Sequence, residues 1–307
     1  MTAISLSPPI GRRSALAGLS AHLLVALIAL VGVGGATRVM EAGLACPDWP
    51  LCYGSLLPGR QMNLQVFLEW FHRLDAFVVG VGLLVQAGLS IWWRRELPRA
   101  VPWVSCAALV LVAVQGGLGA LTVTLLLPFS VVTAHLVTAL LLVALLSACT
   151  QVLLAPSTAS TSHGESRWLL HRLWPGVIGV VALLALGQCL LGGLMATQWA
   201  AGRCLSSGEG CGWLLAHRLG ARPVAMAVLV AAGLALWRRH GERLLAALAA
   251  GAVLAQVALG VSSLRLTLAV PAVTVAHQLM AAFLVAVLAA WWSRTLLEPA
   301  PLEVSRG

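Results

Sequence analysis

Charge-free runs dominate this sequence and limit what it can fold into. The runs contain no Asp, Glu, Lys or Arg and cover residues 14–37, 76–93, 100–164, 173–202, 244–264 and 266–293. A membrane-spanning helix needs about 20 apolar residues, so the longest run must contain two, with a break expected near Pro128. At 60% hydrophobic and 9% charged residues, with a mean hydropathy of +0.94, the chain has more apolar surface than a soluble domain can bury. The sequence therefore predicts an all-α integral membrane protein in a lipid bilayer.

Eight membrane-spanning helices are expected, as two pseudo-symmetric four-helix bundles. They lie at about residues 14–36, 66–93, 101–121, 131–153, 174–196, 213–237, 244–264 and 272–294. The Ser- and Thr-rich stretch between the fourth and fifth spans is typical of a flexible connector. We therefore predict an N-terminal four-helix unit over residues 14–155, a cytoplasmic linker over 156–172 and a C-terminal four-helix unit over 173–295.

The arginines indicate how the chain is oriented in the membrane. The formal net charge is +9, and all 19 basic residues are arginines. They are spread over helix ends rather than clustered as on a nucleic-acid-binding surface, and the positive-inside rule assigns the richer side to the cytoplasm. We expect a multi-pass protein of the bacterial cytoplasmic membrane, with both termini in the cytoplasm and no nucleic-acid partner. Tryptophans beside these arginines, among them Trp92, Trp237 and Trp291, are expected to be interfacial anchors.

Four histidines share one position relative to the expected spans. His72, His135, His217 and His277 lie close to the extracytoplasmic ends of the second, fourth, sixth and eighth spans. A single histidine on an apolar helix is most often a hydrogen-bonded core residue. Imidazole is also a strong iron ligand and is costly to bury unpaired. Four at one depth, two in each unit, favour two haem sites with an imidazole on each side of the iron.

An internal repeat relates the two units. Residues 115–135 read QGGLGALTVTLLLPFSVVTAH and residues 256–277 read QVALGVSSLRLTLAVPAVTVAH, with Gln, Gly, Pro and His in the same order. The repeat makes His135 equivalent to His277. A looser match of EWFHR to LLAHR makes His72 equivalent to His217. A duplication of this kind places equivalent sites in both halves.

A carboxylate distinguishes the first unit from the second. Glu69 precedes His72 by three residues, so both side chains share one helix face, whereas Leu214 holds the corresponding place before His217. The structural alternative is an ordinary ion pair of Glu69 with Arg73 at i+4. The functional interpretation is a carboxylate beside a haem, where it would accept a proton or stabilise positive charge. The asymmetry predicts chemistry in one half and electron transfer in the other.

Two short cysteine pairs lie in the predicted outer loops. They are Cys46 with Cys52 in CPDWPLC and Cys204 with Cys211 in CLSSGEGC. The simplest interpretation is two disulfides, each stabilising by about 2 kcal/mol. Because the first pair lies beside the unit with the carboxylate, exchange with a thiol–disulfide partner is an alternative for it. A zinc site built from all four is disfavoured, since neither spacing is that of a CxxC knuckle.

Four arginines lie on the arginine-poor side, against the charge rule. They are Arg38, Arg73, Arg218 and Arg222. Haem propionates are anions that would lie at this depth, and the guanidinium fork matches a carboxylate, so all four are candidate propionate contacts. Snorkelling of the side chains to the interface is an equal alternative.

Five segments, taken in order, resemble the haem A synthase family. They are GGATRVMEAGLACPDWPLCYG, EWFHR, TAHL, LLAHR and VAHQ. The resemblance is to the bacterial and mitochondrial type and covers about residues 25 to 290. The loop sequences are most similar to those of cyanobacterial members. CPDWPLC followed by ExxHR is the specific part, whereas the short fragments around the other histidines are not specific.

The resemblance implies an oxidoreductase that converts the C8 methyl group of haem O to a formyl group by successive hydroxylations, giving haem A for cytochrome oxidase. On the matching positions, His72 and His135 would be the axial ligands of the substrate haem O, with Glu69 as the catalytic carboxylate. His217 and His277 would be the axial ligands of a haem b cofactor. The cysteine pairs match family loop pairs, of which the first has a functional role. The implied protein partners are haem O synthase, a thiol–disulfide partner and cytochrome oxidase assembly factors.

Two other functions fit parts of the pattern. A di-haem b-type membrane cytochrome that only transfers electrons would use the same four histidines, but it needs no carboxylate and no substrate exchange. A transporter built from duplicated halves fits the repeat but leaves the histidines unexplained.

Overall fold

Nine α-helices make up most of the chain that the structure describes. The computed structural model describes residues 11–155 and 168–297, without the side chains of residues 168–171. The helices are α1 (Arg12–Val39), α2 (Leu64–Trp92), α3 (Ala100–Thr124), α4 (Phe129–Leu154), α5 (Trp168–Thr197), α6 (Ala200–Ser207), α7 (Cys211–Arg238), α8 (Arg243–Arg265) and α9 (Pro271–Leu297). All except α6 are long and apolar enough to cross a membrane. The predicted fold class and the predicted spans are therefore confirmed.

The eight long helices form two closed four-helix bundles. In the first bundle each of α1 to α4 packs on the next, and α1 closes the ring against α4. In the second, α5, α7, α8 and α9 pack in the same cyclic order, and α5 closes the ring against α9. Leu83 and Leu146 are buried in the core of the first bundle, and Ile178, Val228 and Leu288 in the core of the second. Each bundle can therefore enclose a site of its own between its helices.

Helices α4 and α9 form the centre of the contact between the bundles. They pack on each other, while α1 also packs on α9 and α4 on α5. The Ser147 hydroxyl donates a hydrogen bond to the Ala286 carbonyl at 2.7 Å. The hydroxyls of Thr133 and Thr197 lie 2.9 Å apart. Small hydroxyl-bearing residues allow close helix approach within a membrane and add hydrogen bonds there.

The same backbone turn ends three helices. An identical pattern of three backbone hydrogen bonds follows α1, α3 and α8. The middle residue of each turn has a positive φ, which is 54° at Glu41, 59° at Leu126 and 50° at Thr267. Such left-handed caps satisfy the last carbonyls of a helix and reverse the chain. Each of these helices is followed by a long helix that bears one of the four histidines, so the turn recurs with the histidine.

Three features differ from the sequence expectations. The short helix α6 lies where a plain loop was predicted, and it contains Cys204. Helix α5 begins at Trp168, inside the expected linker, of which residues 156–167 lie outside the described residues. Trp291 is not an interfacial anchor, because its side chain is 0% exposed, whereas Trp92 and Trp237 are exposed as predicted.

Candidate haem-binding sites

Two histidines face each other inside the second bundle. His217 on α7 and His277 on α9 have ring centroids 6.5 Å apart and ring planes at 88°. Metal–imidazole bonds are about 2 Å long, so two imidazoles on opposite sides of one metal ion have centroids roughly 6 Å apart. The observed spacing therefore fits an iron porphyrin held between the two rings.

Two histidines occupy the equivalent places in the first bundle. His72 on α2 and His135 on α4 are close enough to interact electrostatically. Both residues are only partly buried, as are the two histidines of the second bundle. Partial exposure fits rings that line a cavity between helices better than rings that fill a core. The histidines that the sequence pairs are thus brought together in pairs by the fold.

A glycine on a neighbouring helix lies against each histidine ring. A Cβ added to the glycine would lie 2.9 Å from ring Cε1 for Gly34 with His72, Gly192 with His217 and Gly260 with His277, and 3.6 Å for Gly119 with His135. Real Cβ atoms essentially never approach another heavy atom to under 3.0 Å. At three of the four places, then, only glycine leaves the imidazole where it is.

Glutamines one turn before three of these glycines bond the facing histidines. The Gln188 Nε2 lies 2.9 Å from His217 Nδ1 and donates to the His217 carbonyl at 2.7 Å. The Gln115 Nε2 donates to the backbone carbonyl of His135 at 2.8 Å. At the third place, the backbone carbonyl of Gln256 lies 3.1 Å from His277 Nδ1. No role was predicted for these three glutamines, although the recurrence of Gln115 and Gln256 at the start of the internal repeat was a signal for those two.

Glu69 is the carboxylate beside the first pair. It lies one helical turn before His72 and is 4% exposed. Its Oε2 accepts a hydrogen bond from the Cys46 N–H at 2.7 Å, and its Oε1 accepts one from the Arg73 guanidinium. The i+4 ion pair that the sequence offered as a structural alternative is therefore formed. Leu214 is buried at the equivalent place in the second bundle, so the two sites differ in this charge.

Arg73 holds the loop that carries the first cysteine pair. Its Nη1 donates to the carbonyls of Asp48 and Leu51 at 2.6 and 2.5 Å. Its Nη2 donates to the carbonyl of Cys46 at 3.3 Å. These contacts, together with the bond to Glu69, give the guanidinium a structural role beside the site.

The other three candidate arginines lie in two places. The Arg38 Nη1 donates to the carbonyl of Ala196 at 2.7 Å, and its guanidinium lies 5.6 Å from the centroid of the Trp199 ring. Arg38 thus links α1 to the end of α5. Arg218 and Arg222 lie on α7 and are exposed. Contact with haem propionates stays a prediction for all four arginines.

Both cysteine pairs form disulfides. Cys46 is bonded to Cys52, and Cys204 is bonded to Cys211. The first disulfide is buried next to the N-terminal end of α2, with the two cysteines 0% and 2% exposed. The second joins α6 to the first residue of α7 and is partly exposed. The two pairings use all four sulfurs, which leaves none of them as a thiolate ligand for zinc.

Comparison with known proteins identifies the family. The family model COX15-CtaA, described as cytochrome oxidase assembly protein, matches residues 18–289. A haem A synthase from Shewanella oneidensis is 34% identical over 199 residues, which are 59% of this chain and 57% of that protein. One from Sphingopyxis alaskensis is 29% identical over an alignment that covers 91% of each chain. A protoheme IX farnesyltransferase from Haloarcula marismortui is 36% identical over 107 residues, which are 35% of this chain and 22% of that protein. The chain therefore belongs to the COX15-CtaA family of cytochrome oxidase assembly proteins.

Proposed function

We propose that this chain is a haem A synthase, which oxidises the C8 methyl group of haem O to a formyl group and so makes haem A for cytochrome oxidase. Membership of the family and the two relatives named haem A synthase support the assignment. The observation that carries it is the buried carboxylate of Glu69 beside one of two otherwise equivalent imidazole pairs. A protein that only transfers electrons would need both pairs but no such carboxylate.

The two bundles take different haems in this proposal. His72 and His135 would be the axial ligands of haem O, the substrate, next to Glu69. His217 and His277 would be the axial ligands of haem b, and their 6.5 Å spacing supports this role. Bound haem b supplies an acceptor for electrons that leave the substrate.

The chemistry requires a group that manages protons. In the proposed chemistry water supplies the oxygen of each hydroxylation, so that CH3 and H2O give CH2OH, and CH2OH and H2O give the gem-diol, each with release of two protons and two electrons. The gem-diol then loses water to leave the aldehyde. The four electrons would leave one at a time, by way of haem b, to an acceptor outside the chain. Glu69 lies on the His72 face of α2, so its carboxylate would take up these protons or stabilise positive charge on the reacting carbon. Arg73 and the Cys46 N–H fix the orientation of that carboxylate.

The excess of arginine at one set of helix ends supports an orientation with cytoplasmic termini and with the haem sites near the extracytoplasmic side. The farnesyltransferase relative is named for the enzyme class that adds a farnesyl group to protohaem IX. We therefore propose that a haem O synthase of that class supplies the substrate within the bilayer, and that cytochrome oxidase assembly factors receive the product.

The test is an analysis of extracted haems. Membranes that make haem O would be prepared with and without this chain, and their haems would be separated by chromatography. A formylated haem that appears only with the chain supports the proposal. Haem b in the purified chain without any formylated product would instead identify a di-haem cytochrome b. A purified chain with no Soret band would exclude both and favour a transporter.

A further inference from the structure

The four histidines differ in how their rings are held, and the difference follows the two bundles. In a haem ligand, one ring nitrogen binds iron and the other carries a proton that needs an acceptor. That second hydrogen bond fixes the ring orientation and raises the basicity of the ligand. The groups around each ring therefore bear on how firmly a haem is retained.

Both rings of the second bundle have a partner at Nδ1. The Gln188 amide lies 2.9 Å from His217 Nδ1. In the structure the Nε2 group of that amide faces both Nδ1 and the His217 carbonyl. Turning the amide over would bring its Oε1 to Nδ1, as the acceptor that an iron-bound imidazole needs. The backbone carbonyl of Gln256 lies 3.1 Å from His277 Nδ1 and offers a fixed acceptor, and the side-chain Nε2 of Gln256 lies 3.4 Å from His277 Nε2. These partners hold both imidazoles of this bundle in place before any haem binds.

Neither ring of the first bundle has such a partner. The Nδ1 atoms of His72 and His135 are buried, and in the part of the chain that the structure describes nothing hydrogen-bonds to them. Gln115 bonds the backbone carbonyl of His135 rather than its ring. On α1 the place one turn before the glycine is held by Leu30, so the ring of His72 has no glutamine to face. The first pair is thus anchored more weakly.

We propose that this second hydrogen bond decides which haem stays: Gln188 and the Gln256 carbonyl hold their histidines for a resident haem, whereas the unanchored rings of His72 and His135 take a haem that exchanges. The inference rests on the proposed function, because it assumes that each pair ligates one haem. It explains physically how one fold, used twice, provides both a cofactor site and a substrate site. Gln188 is in this account a positioning residue, since it acts through His217.

The first experiment measures haem loss from the intact protein. The purified full-length chain, loaded in membranes that make haem O, is mixed in detergent with excess apomyoglobin as a haem acceptor. Haems remaining on the protein are extracted at intervals and identified by chromatography. We expect haem O and its oxidised products to leave roughly 10-fold faster than haem b, the size of effect that a lost partner of a ligand histidine produces.

The second experiment tests the glutamine directly. Q188L should speed the loss of haem b by about 10-fold and shift the low-spin electron paramagnetic resonance signal and the midpoint potential of that haem. Q86L is the control, because Gln86 is likewise a glutamine of a membrane-spanning helix, fully buried where Gln188 is partly exposed, and it contacts Ser105 and Cys149 instead of a histidine. Q256L should have a smaller effect than Q188L, since it keeps the backbone carbonyl at His277 Nδ1 and removes only the longer side-chain contact, 3.4 Å, at His277 Nε2.

The results separate this inference from the function on which it rests. Equal loss of the two haems from the unaltered protein, or a Q188L spectrum and haem b loss rate identical to those of Q86L, would overturn the inference while leaving haem A synthesis intact. Absence of any haem with two histidine ligands from the unaltered protein would overturn the proposed function itself.

Discussion

The Glu69 carboxylate accepts a hydrogen bond from the backbone N–H of Cys46 at 2.7 Å, which ties the candidate catalytic side chain to the disulfide loop. The same carboxylate is paired with Arg73, which in turn binds three carbonyls of that loop. The Glu69 side chain is therefore both the candidate catalytic group and a contact that holds the disulfide loop. Substitutions that remove the charge must be distinguished from those that release the loop.

Replacing Glu69 with Gln separates these two roles. The amide oxygen of E69Q can still accept the Cys46 N–H, but the variant has no negative charge to take up a proton or stabilise a cation. We expect E69Q to bind both haems and to accumulate haem O or its hydroxymethyl form, with haem A lowered at least about 100-fold, as is usual for loss of a general acid or base. E69A is the comparison, since it also releases the loop. Normal haem A formation by E69Q, measured by chromatography of extracted haems, would end the catalytic assignment.

The first disulfide is expected to act as a clamp on this loop. The double substitution C46S/C52S removes about 2 kcal/mol of loop constraint and loosens the N–H that orients Glu69. We expect haem A formation to fall several-fold while haem b is retained. The matched control is C204S/C211S, which opens a loop of similar length beside the second bundle and should leave haem A formation nearly unchanged. Complete loss of haem A in the first variant, with haem O still bound, would favour the alternative of thiol exchange with a partner.

The glycine beside His277 should be intolerant of a methyl group. In G260A the new Cβ would lie 2.9 Å from ring Cε1, so the imidazole has to move. Overpacking of this kind costs about 1–3 kcal/mol, and 1.4 kcal/mol corresponds to a tenfold change in affinity. We therefore expect roughly 10-fold weaker retention of haem b, measured as pigment per purified protein. G251A is the control on the same helix, because nothing lies within 4 Å of its added Cβ. Equal haem content in the two variants would contradict the close contact.

The features that could be predicted from the sequence are those set by residues close together along the chain, whereas contacts between separate helices could not be predicted. Charge-free runs predict the spans, and the internal repeat predicts that His72 and His135 of one unit correspond to His217 and His277 of the other, because both signals lie in the order of residues along the chain. The contacts of Gln188 depend instead on the rotation of α5 against α7, which no local pattern records. The burial of Trp291 was missed for the same reason. A tryptophan beside an arginine at a helix end is usually interfacial. Here, however, the indole N–H of Trp291 donates a hydrogen bond to the carboxylate of Glu242, which lies in the connection between α7 and α8.

That carboxylate belongs to Glu242, and it is the basis of the last prediction. Glu242 is 0% exposed and accepts hydrogen bonds from Trp174 Nε1 at 2.8 Å and from Trp291 Nε1 at 2.5 Å, as well as one from Arg239.

In E242A the two indole N–H groups lose their acceptor, and Arg239 loses its ion pair with Glu242. We expect a loss of about 3 kcal/mol of stability, at the lower end for a broken buried ion pair because Arg239 is partly exposed. E242Q should recover part of this, since an amide oxygen can still accept from the indoles. The matched control is E96A, whose exposed pair with Arg12 should contribute less than about 1 kcal/mol. Thermal unfolding of the detergent-solubilised protein measures the effect, and an E242A melting temperature no lower than that of E96A would show that the buried carboxylate does not hold α5, α7 and α9 together.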